Sequence, residues 1–210
     1  MAAESDLLSS AAQGRIADAV AAAERTTSGE IVVTLVPESD PYPRAELFAA
    51  LLGGVVAGIA LTLATGSDSL YRFLPATIVA TVVCVGVVRR LPLLKRPFVS
   101  PWIRRQEVRQ RAVQAFFDHR LYQTRDATGV LLFLSLLERR VELLADKGID
   151  ERVPAGSWDT VVADLTAALR RGAVVDGTVA AVEAIGTILA AHAPPRADDT
   201  NELPDAPQLG

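Results

Sequence analysis

Oxygen-bearing side chains occur at the two ends of a predicted β-hairpin. Asp126 and Thr128 precede its first strand, and Asp146 and Asp150 follow its second strand. In an antiparallel hairpin the end of the second strand lies beside the start of the first, so these residues should share one rim. Carboxylate and hydroxyl oxygens are the ligands of hard cations. The rim therefore predicts a Ca²⁺ or Mg²⁺ site with Asp126, Asp146 and Asp150 as ligands and Thr128 as a further candidate.

The same residues have a plainer interpretation, in which they are solvated rim charges and Asp146 caps a turn. A cation on the rim could also position water for phosphate-ester hydrolysis if a general base were present. His119 could serve as that base or as a ligand, or it could be an ordinary packed histidine. The sequence has no P-loop, no Gly-x-Gly-x-x-Gly and no His-Glu-x-x-His motif, so no local motif supports catalysis.

The elements that would position the rim predict an α/β fold. A helical pattern before Gly29 leads into a β-branched run, and strands at 129–136 and 140–145 form the hairpin. In the second strand Glu142 alternates with apolar residues, so it points to the other face, where Arg139 or Arg140 should pair with it. Further helices are predicted at 103–122, after Ser157 and at 175–191. Helices on both sides of two or three buried strands give a compact helix/sheet/helix layer domain.

Two long apolar runs interrupt this domain after its first strand. Residues 47–67 contain no charged side chain, and neither do residues 73–88. About twenty apolar residues span a bilayer, so the runs predict a two-helix transmembrane hairpin, at about 47–66 and 72–88. Two buried helices of a soluble core are the alternative. Gly54 and Gly58 lie on a small-residue stripe against which the other helix, or a second copy of the chain, could pack.

A basic collar after the second run sets the expected orientation. The link between the runs carries one basic residue, Arg72, whereas six follow the second run within 17 residues. The positive-inside rule then places both termini in the cytoplasm and the hairpin in the inner membrane. The residues expected to contact anionic headgroups are Arg89, Arg90, Lys95, Arg96 and Trp102.

The net charge of −4 hides an uneven distribution. Residues 89–125 hold ten basic and two acidic residues, and the remainder holds eleven basic and twenty-three acidic ones. Because the basic block directly follows an apolar run, membrane topology explains it better than nucleic-acid binding, and we expect no nucleic-acid partner. The single cysteine, Cys84, excludes a disulfide framework and a Cys-based metal site.

These patterns divide the chain into four parts. Residues 1–44 form the first part of the domain, and residues 45–90 form the hairpin. Residues 91–192 form the basic collar and the rest of the domain. Residues 193–210, rich in proline and acidic residues, should form a mobile tail.

The order of motifs resembles that of the TPM domain family, in the branch of bacterial membrane proteins with a transmembrane hairpin inside the domain. The likeness covers everything outside the hairpin and the extreme tail, and 128–149 is its most specific part. One departure is the start of the strand, which reads Asp126-Ala-Thr-Gly-Val130 instead of Asp-Asn-Gly-Val. The motifs are Glu24-x-x-Thr-Ser-Gly-Glu-Ile-Val-Val33, Phe117-x-His119-x-Leu-x-x-Thr124, Thr128 to Glu142, Ala145 to Ile149, Trp158 and Asn201-Glu-Leu-Pro-Asp205.

The resemblance implies a sheet between helices and two kinds of function. Some members have acid phosphatase activity and bind divalent cations, and others act in photosystem repair or complex assembly. Our first hypothesis is a membrane protein whose cytoplasmic domain binds a protein partner, or a second copy of itself, as an assembly module. The alternative is a divalent-metal-dependent phosphatase acting on phosphate esters.

Overall fold

The structure contains an α/β unit and a unit of two long apolar helices. A computed structural model describes residues 9–66, 70–196 and 201–210. One unit combines residues up to 39 with those from 105 onward, and the other is residues 40–104. In chain order the elements are α1 (Ser10–Glu24), β1 (Glu30–Val36), α2 (Pro43–Thr65), α3 (Leu70–Arg90), α4 (Pro101–Asp118), β2 (Gly129–Ser135), β3 (Arg140–Ala145), α5 (Lys147–Asp150), α6 (Asp159–Arg171), α7 (Val174–His192) and β4 (Gln208–Leu209).

Four strands of the described residues form one mixed sheet in the order β3-β2-β1-β4. β1 and β2 are parallel, with Glu30 opposite Gly129 and Val36 opposite Ser135. β2 and β3 are antiparallel, which confirms the predicted hairpin. Every residue of β1 and β2 is buried. A strand buried on both faces needs no polar alternation, which explains the continuous apolar runs that form β1 and β2.

Alternate residues of the strands face two hydrophobic clusters. Ile31, Val33 and Leu35 of β1 join one cluster with residues of α1, α6 and α7. Val32 and Val36 join the other cluster, to which α4 contributes Val108, Ala112, Ala115 and Phe116. The predicted α/β layer domain, interrupted by two apolar helices, is therefore confirmed.

Helix α4 is shorter than the prediction of 103–122. It ends at Asp118, and Leu121–Gln123 forms a separate 3₁₀ turn. Between them Arg120 adopts a left-handed conformation with φ of 57°. An α-helix cannot continue through that backbone geometry, and the sequence carries no glycine there to signal the break.

Among the described residues, three helices are long and apolar enough to cross a membrane: α2, residues 73–90 of α3, and α7. α7 belongs to the α/β unit, where Val182, Ile185 and Leu189 are fully buried in the first cluster. Packing in the core of that unit accounts for its apolar composition.

Helices α2 and α3 pack through small residues and expose their large ones. A Cβ atom added at Gly54 would lie 1.9 Å from Thr81 Oγ1, and one at Gly58 would lie 2.2 Å from Thr77 Oγ1. The small-residue stripe of α2 is thus covered by α3 of the same chain. Of the two occupants that the sequence allowed, the other helix or a second copy of the chain, the structure has the other helix. The exposed side chains include Phe48, Val56, Leu63, Ile78, Val79 and Val82, each more than half exposed.

The predicted mobile tail is wrong for residues 201–210. β4 pairs in parallel with β1, Thr34 with Gln208 and Leu35 with Leu209. The Gly210 N–H also donates a hydrogen bond to the Leu35 carbonyl at 3.1 Å. Edge pairing uses main-chain groups, which proline-rich and acidic composition does not reveal.

Candidate functional site

The structure brings the two predicted halves of the rim together through the backbone. The Asp146 N–H donates to the Gly129 carbonyl at 2.8 Å, and the Gly148 N–H donates to the Ala127 carbonyl at 2.9 Å. A Cβ atom at Gly148 would lie 2.1 Å from the Asp126 carbonyl oxygen, so only glycine permits this approach.

The rim carboxylates have other partners. Asp126 forms an ion pair with Arg196. Asp146 caps the short helix α5, with Oδ1 accepting a hydrogen bond from the Lys147 N–H at 2.8 Å. Asp150 is exposed. The Asp146 cap is the plainer role that the sequence allowed for this residue.

The described side chains of the rim supply only part of the donor set that a hard cation needs. Ca²⁺ and Mg²⁺ bind six or more oxygens in all, and protein sites for them are built on converging carboxylates. In the part of the chain that the structure describes, no group of three or more His, Cys, Asp or Glu side chains could hold a metal ion. The Thr128 N–H donates to Thr124 Oγ1, and the Thr128 carbonyl accepts from the Glu30 N–H. We therefore derive no reaction step through a metal ion here.

One oxygen of the rim does stand out. Asp146 Oδ2 is buried and has no hydrogen-bond partner among the described residues. A buried carboxylate oxygen normally has a partner, so this atom is the one feature of the rim that fits a ligand.

His119 lies just beyond the C-terminal end of α4, and its backbone N–H donates to the Ala115 carbonyl at 2.9 Å. Burial lowers the pKa of His119, Arg111 lowers it further, and Asp118 opposes both. The imidazole is therefore neutral near pH 7, which fits a packed histidine.

Glu142 pairs with a different arginine from the ones expected. Val141 and Leu143 lie on one face of the sheet and Glu142 lies on the other, as predicted. The Glu142 carboxylate contacts Arg109 of α4 at 3.3 Å. Arg140 lies two residues before Glu142 on the same face of the strand, but the Glu142 carboxylate contacts the arginine of the helix that covers that face.

The collar residues divide into exposed and buried groups. Arg90 is exposed, and Trp102 is 67% exposed. Arg89 is exposed and pairs with Glu46 at 2.6 Å, while Arg96 is half-buried. Lys95 contradicts the prediction of a membrane-surface contact, because it is buried and its ammonium donates to the Pro41 carbonyl at 3.1 Å. A lysine directed at a carbonyl at the base of the apolar unit cannot be recognised from charge pattern alone.

Comparison with known proteins finds a family model that matches part of the chain and a solved structure of similar fold. Residues 99–188 match the family model described as the TPM domain. This segment is similar to a TPM domain. Among solved structures the chain is similar to the NMR structure of the BA42 protein from the psychrophilic bacterium Bizionia argentinensis, with 22% identity and a TM-score of 0.61. That likeness spans 97% of this chain and 95% of that one, and it shows the fold alone. No curated protein matches the chain.

The segment that matches the TPM domain model begins after the apolar helices. It contains α4, both strands of the β-hairpin, α5, α6 and most of α7. β1 precedes the apolar helices in the chain and joins the sheet through its parallel pairing with β2.

Sequence reasoning missed two groups of polar side chains in the α/β unit. One is a set of acidic residues where the C-terminal segment meets the start of β1: Glu24, Glu30, Glu202 and Asp205. The Glu24 carboxylate accepts from the Ile31 N–H at 2.8 Å, and Glu30 Oε1 accepts from the Glu202 N–H at 3.2 Å. The quoted motifs contain all four residues, but only the fold brings them together.

The second group joins the ends of β1 and β2. Glu138, which is 3% exposed, accepts hydrogen bonds from the Ser135 hydroxyl and, at 3.2 Å, from the Ser39 N–H. The Ser39 hydroxyl in turn donates to Ser135 Oγ at 2.9 Å. The sequence indicated only a hairpin turn at Glu138. In the structure its carboxylate binds the Ser39 N–H, just after the end of β1.

Proposed function

We propose that the chain is an integral membrane protein, anchored by α2 and α3, whose TPM domain is a cytoplasmic binding or assembly module. The observation that carries the proposal is the distribution of residues on the two helices. A soluble helix pair buries its large apolar side chains, whereas a pair in lipid packs through small residues and turns the large ones outward. Gly54 and Gly58 are buried against α3, and Val56 and Val79 are 58% and 63% exposed.

Length and charge support the same proposal. α2 has 23 residues and α3 has 21. At 1.5 Å per residue each is about 30–35 Å long, which matches the hydrocarbon core of a bilayer. The exposed Arg89 and Arg90 end α3, and the positive-inside rule favours the cytoplasm for that end.

An exposed apolar patch on the TPM domain supports a binding role. Val113, Phe117 and Tyr122 are 38%, 57% and 47% exposed, and the rings of Phe117 and Tyr122 lie 5.6 Å apart. Exposed aromatic side chains that contact one another are typical of a protein interaction surface. The partner would be another protein or a second copy of the chain.

Membrane extraction tests the anchor. After alkaline carbonate treatment of membranes, the wild-type chain should remain in the pellet. A variant with Val56→Arg and Val79→Arg should move to the soluble fraction or be degraded, because each arginine near the centre of a span costs about 2.5–3.5 kcal/mol. Ala163→Arg, on the exposed face of α6, is the matched control and should stay in the pellet. Release of the wild-type chain by carbonate would refute the anchor.

A divalent-metal-dependent phosphatase is the second candidate, and the buried Asp146 Oδ2 is the observation that favours it. Ca²⁺, Mg²⁺ or Mn²⁺ should then raise the melting temperature of the detergent-solubilised protein, because a ligand of the folded state stabilises that state. Metal-dependent release of phosphate from a small ester, lost in Asp146→Ala, would establish this function. Absence of both effects would exclude it.

A further inference from the structure

Strand β3 forms one edge of the sheet, and half of its main-chain groups point away from β2. The Asp146 N–H bonds to the Gly129 carbonyl across the β-hairpin. Alternation along an antiparallel ladder therefore directs every second residue of β3 to β2 and the others outward. The outward residues are Val141, Leu143 and Ala145. Among the described residues, no other strand or helix bonds to their main-chain groups. Such an edge is a template for pairing with another strand.

The side chains of β3 leave this edge unprotected. Edge strands of natural proteins commonly carry lysine, proline or a glycine bulge, which prevent pairing with another chain. β3 contains none of these residues. Leu143 and Ala145 pack against the first hydrophobic cluster but are only half-buried. A further strand at this edge would cover the exposed part of both side chains and extend the cluster.

Opposite charges stand at the two ends of β3. Arg140 begins the strand and Asp146 follows it. Arg140 Nε and Asp146 Oδ2 are both buried and have no hydrogen-bond partner among the described residues. The two side chains are on the same face of the sheet, since an even number of positions separates them. About 20 Å of extended chain lies between them, so they cannot pair within one chain.

We propose that β3 is a dimerisation edge, which pairs antiparallel with β3 of a second copy of the chain around a two-fold axis at Leu143. In this register Arg140 lies opposite Asp146 of the second copy, and Val141 lies opposite Ala145. All the outward main-chain groups of both strands then have partners, in about six hydrogen bonds. Charge complementarity and main-chain complementarity thus select the same arrangement.

The neighbouring registers are less favourable. The partner strand must shift by two residues to keep the outward groups facing each other. A shift in one direction places Glu142 opposite Glu142 of the second copy, and a shift in the other direction places it opposite Asp146. Like charges directly opposite each other destabilise an antiparallel pair. The charges of β3 therefore favour the register with Leu143 on the axis.

The dimer rests on the binding role in the proposed function and names its partner, a second copy of the chain. It is independent of the membrane anchor, because every group involved lies in the α/β unit. Carbonate extraction tests the anchor alone. A chain that is anchored but monomeric would overturn the dimer and leave the anchor standing.

Charge reversal tests the edge, with analytical ultracentrifugation of the full chain in detergent as the measurement. Wild type should dimerise. Arg140→Asp or Asp146→Arg places two like-charged pairs in each homodimer and should weaken dimerisation at least about tenfold. An equimolar mixture of the two variants should recover the wild-type affinity, because the heterodimer has opposite charges at both pairs. A contact within one chain cannot produce this rescue.

Arg105→Asp, at an exposed position of α4, is the matched control, since it makes the same change of charge away from the edge. It should dimerise like wild type. Three results would each overturn the proposal: a wild type that is monomeric at all concentrations, a dimer insensitive to both reversals, or a mixture as monomeric as its components.

A cysteine at the two-fold axis serves if a charge-reversed variant does not fold. In a Cys84→Ser background, Leu143→Cys lies opposite its own copy, with Cα atoms about 5.5 Å apart, a distance that a disulfide spans. Mild oxidation should link most of the chains into dimers. Asp164→Cys, exposed on α6, should stay monomeric under the same treatment. Equal linkage of the two variants would overturn the proposal.

Discussion

The contact between α2 and α3 gives a prediction whose size follows from the structure. A Cβ atom at Gly54 would lie 1.9 Å from Thr81 Oγ1 and 2.9 Å from Thr81 Cα. Rotation of the threonine side chain relieves the first contact but not the second. Since carbon atoms pack at about 3.5–4.0 Å, Gly54→Ala must separate the helices by about 0.5–1 Å. Overpacking of this kind costs about 1–3 kcal/mol.

A disulfide within the hairpin reports the separation. At Gly53 an added Cβ would lie 3.5 Å from Cys84 Cβ, within the spacing of about 3.5–4.5 Å that a disulfide requires. Gly53→Cys should therefore crosslink to the native Cys84 under mild oxidation, with both thiols lost and no dimer on a gel. Adding Gly54→Ala should slow crosslinking at least about fivefold, since 1.4 kcal/mol corresponds to tenfold.

Gly86→Ala is the control for that substitution. Gly86 also lies on α3, but a Cβ atom there would have nothing within 4 Å. The crosslinking rate should be unchanged by it. Equal rates in the Gly54→Ala and Gly86→Ala backgrounds would refute the small-residue packing, and a crosslinked dimer would assign the stripe to a second copy of the chain.

Two further predictions concern the stability of the α/β unit. Glu138→Ala should lower the free energy of unfolding in urea by about 2–4 kcal/mol, because it removes a buried acceptor from two hydrogen bonds. An effect as small as that of exposed Glu183→Ala would contradict this role. Glu24 binds its proton more tightly in the folded state, so wild-type stability should fall as pH rises from about 4.5 to about 8. Melting curves of Glu24→Gln should lack that part of the decline, and identical pH profiles would refute the assignment.

The regular elements were predictable because their signals are local. The β-branched run of β1 and the apolar strands of the hairpin are read from consecutive residues, and so are the two charge-free runs. The opposite face of Glu142 follows from the period of two along a strand. The sequence therefore indicated the layer fold and its interruption.

The missed features depend on residues far apart in the chain. The partner of Glu142 is Arg109, 33 residues away, and Gln208 of β4 pairs with Thr34 of β1. The Lys95 ammonium donates to the carbonyl of Pro41, 54 residues earlier in the chain. Only the packed fold determines such partners, and the rim of Asp126 and Asp146 is the same case. Its backbone proximity followed from hairpin geometry, but the ion pair of Asp126 with Arg196 did not.

The central proposal is that the apolar helix pair spans the membrane while both parts of the α/β unit lie in the cytoplasm. Single cysteines in a Cys84→Ser background test it with a membrane-impermeant maleimide on intact cells. Asp18→Cys and Asp164→Cys, exposed before and after the hairpin, should be labelled only after lysis. Tyr71→Cys, at a residue 92% exposed at the start of α3, should be labelled in intact cells. Labelling of Asp18→Cys or Asp164→Cys without lysis, or protection of Tyr71→Cys, would contradict the account.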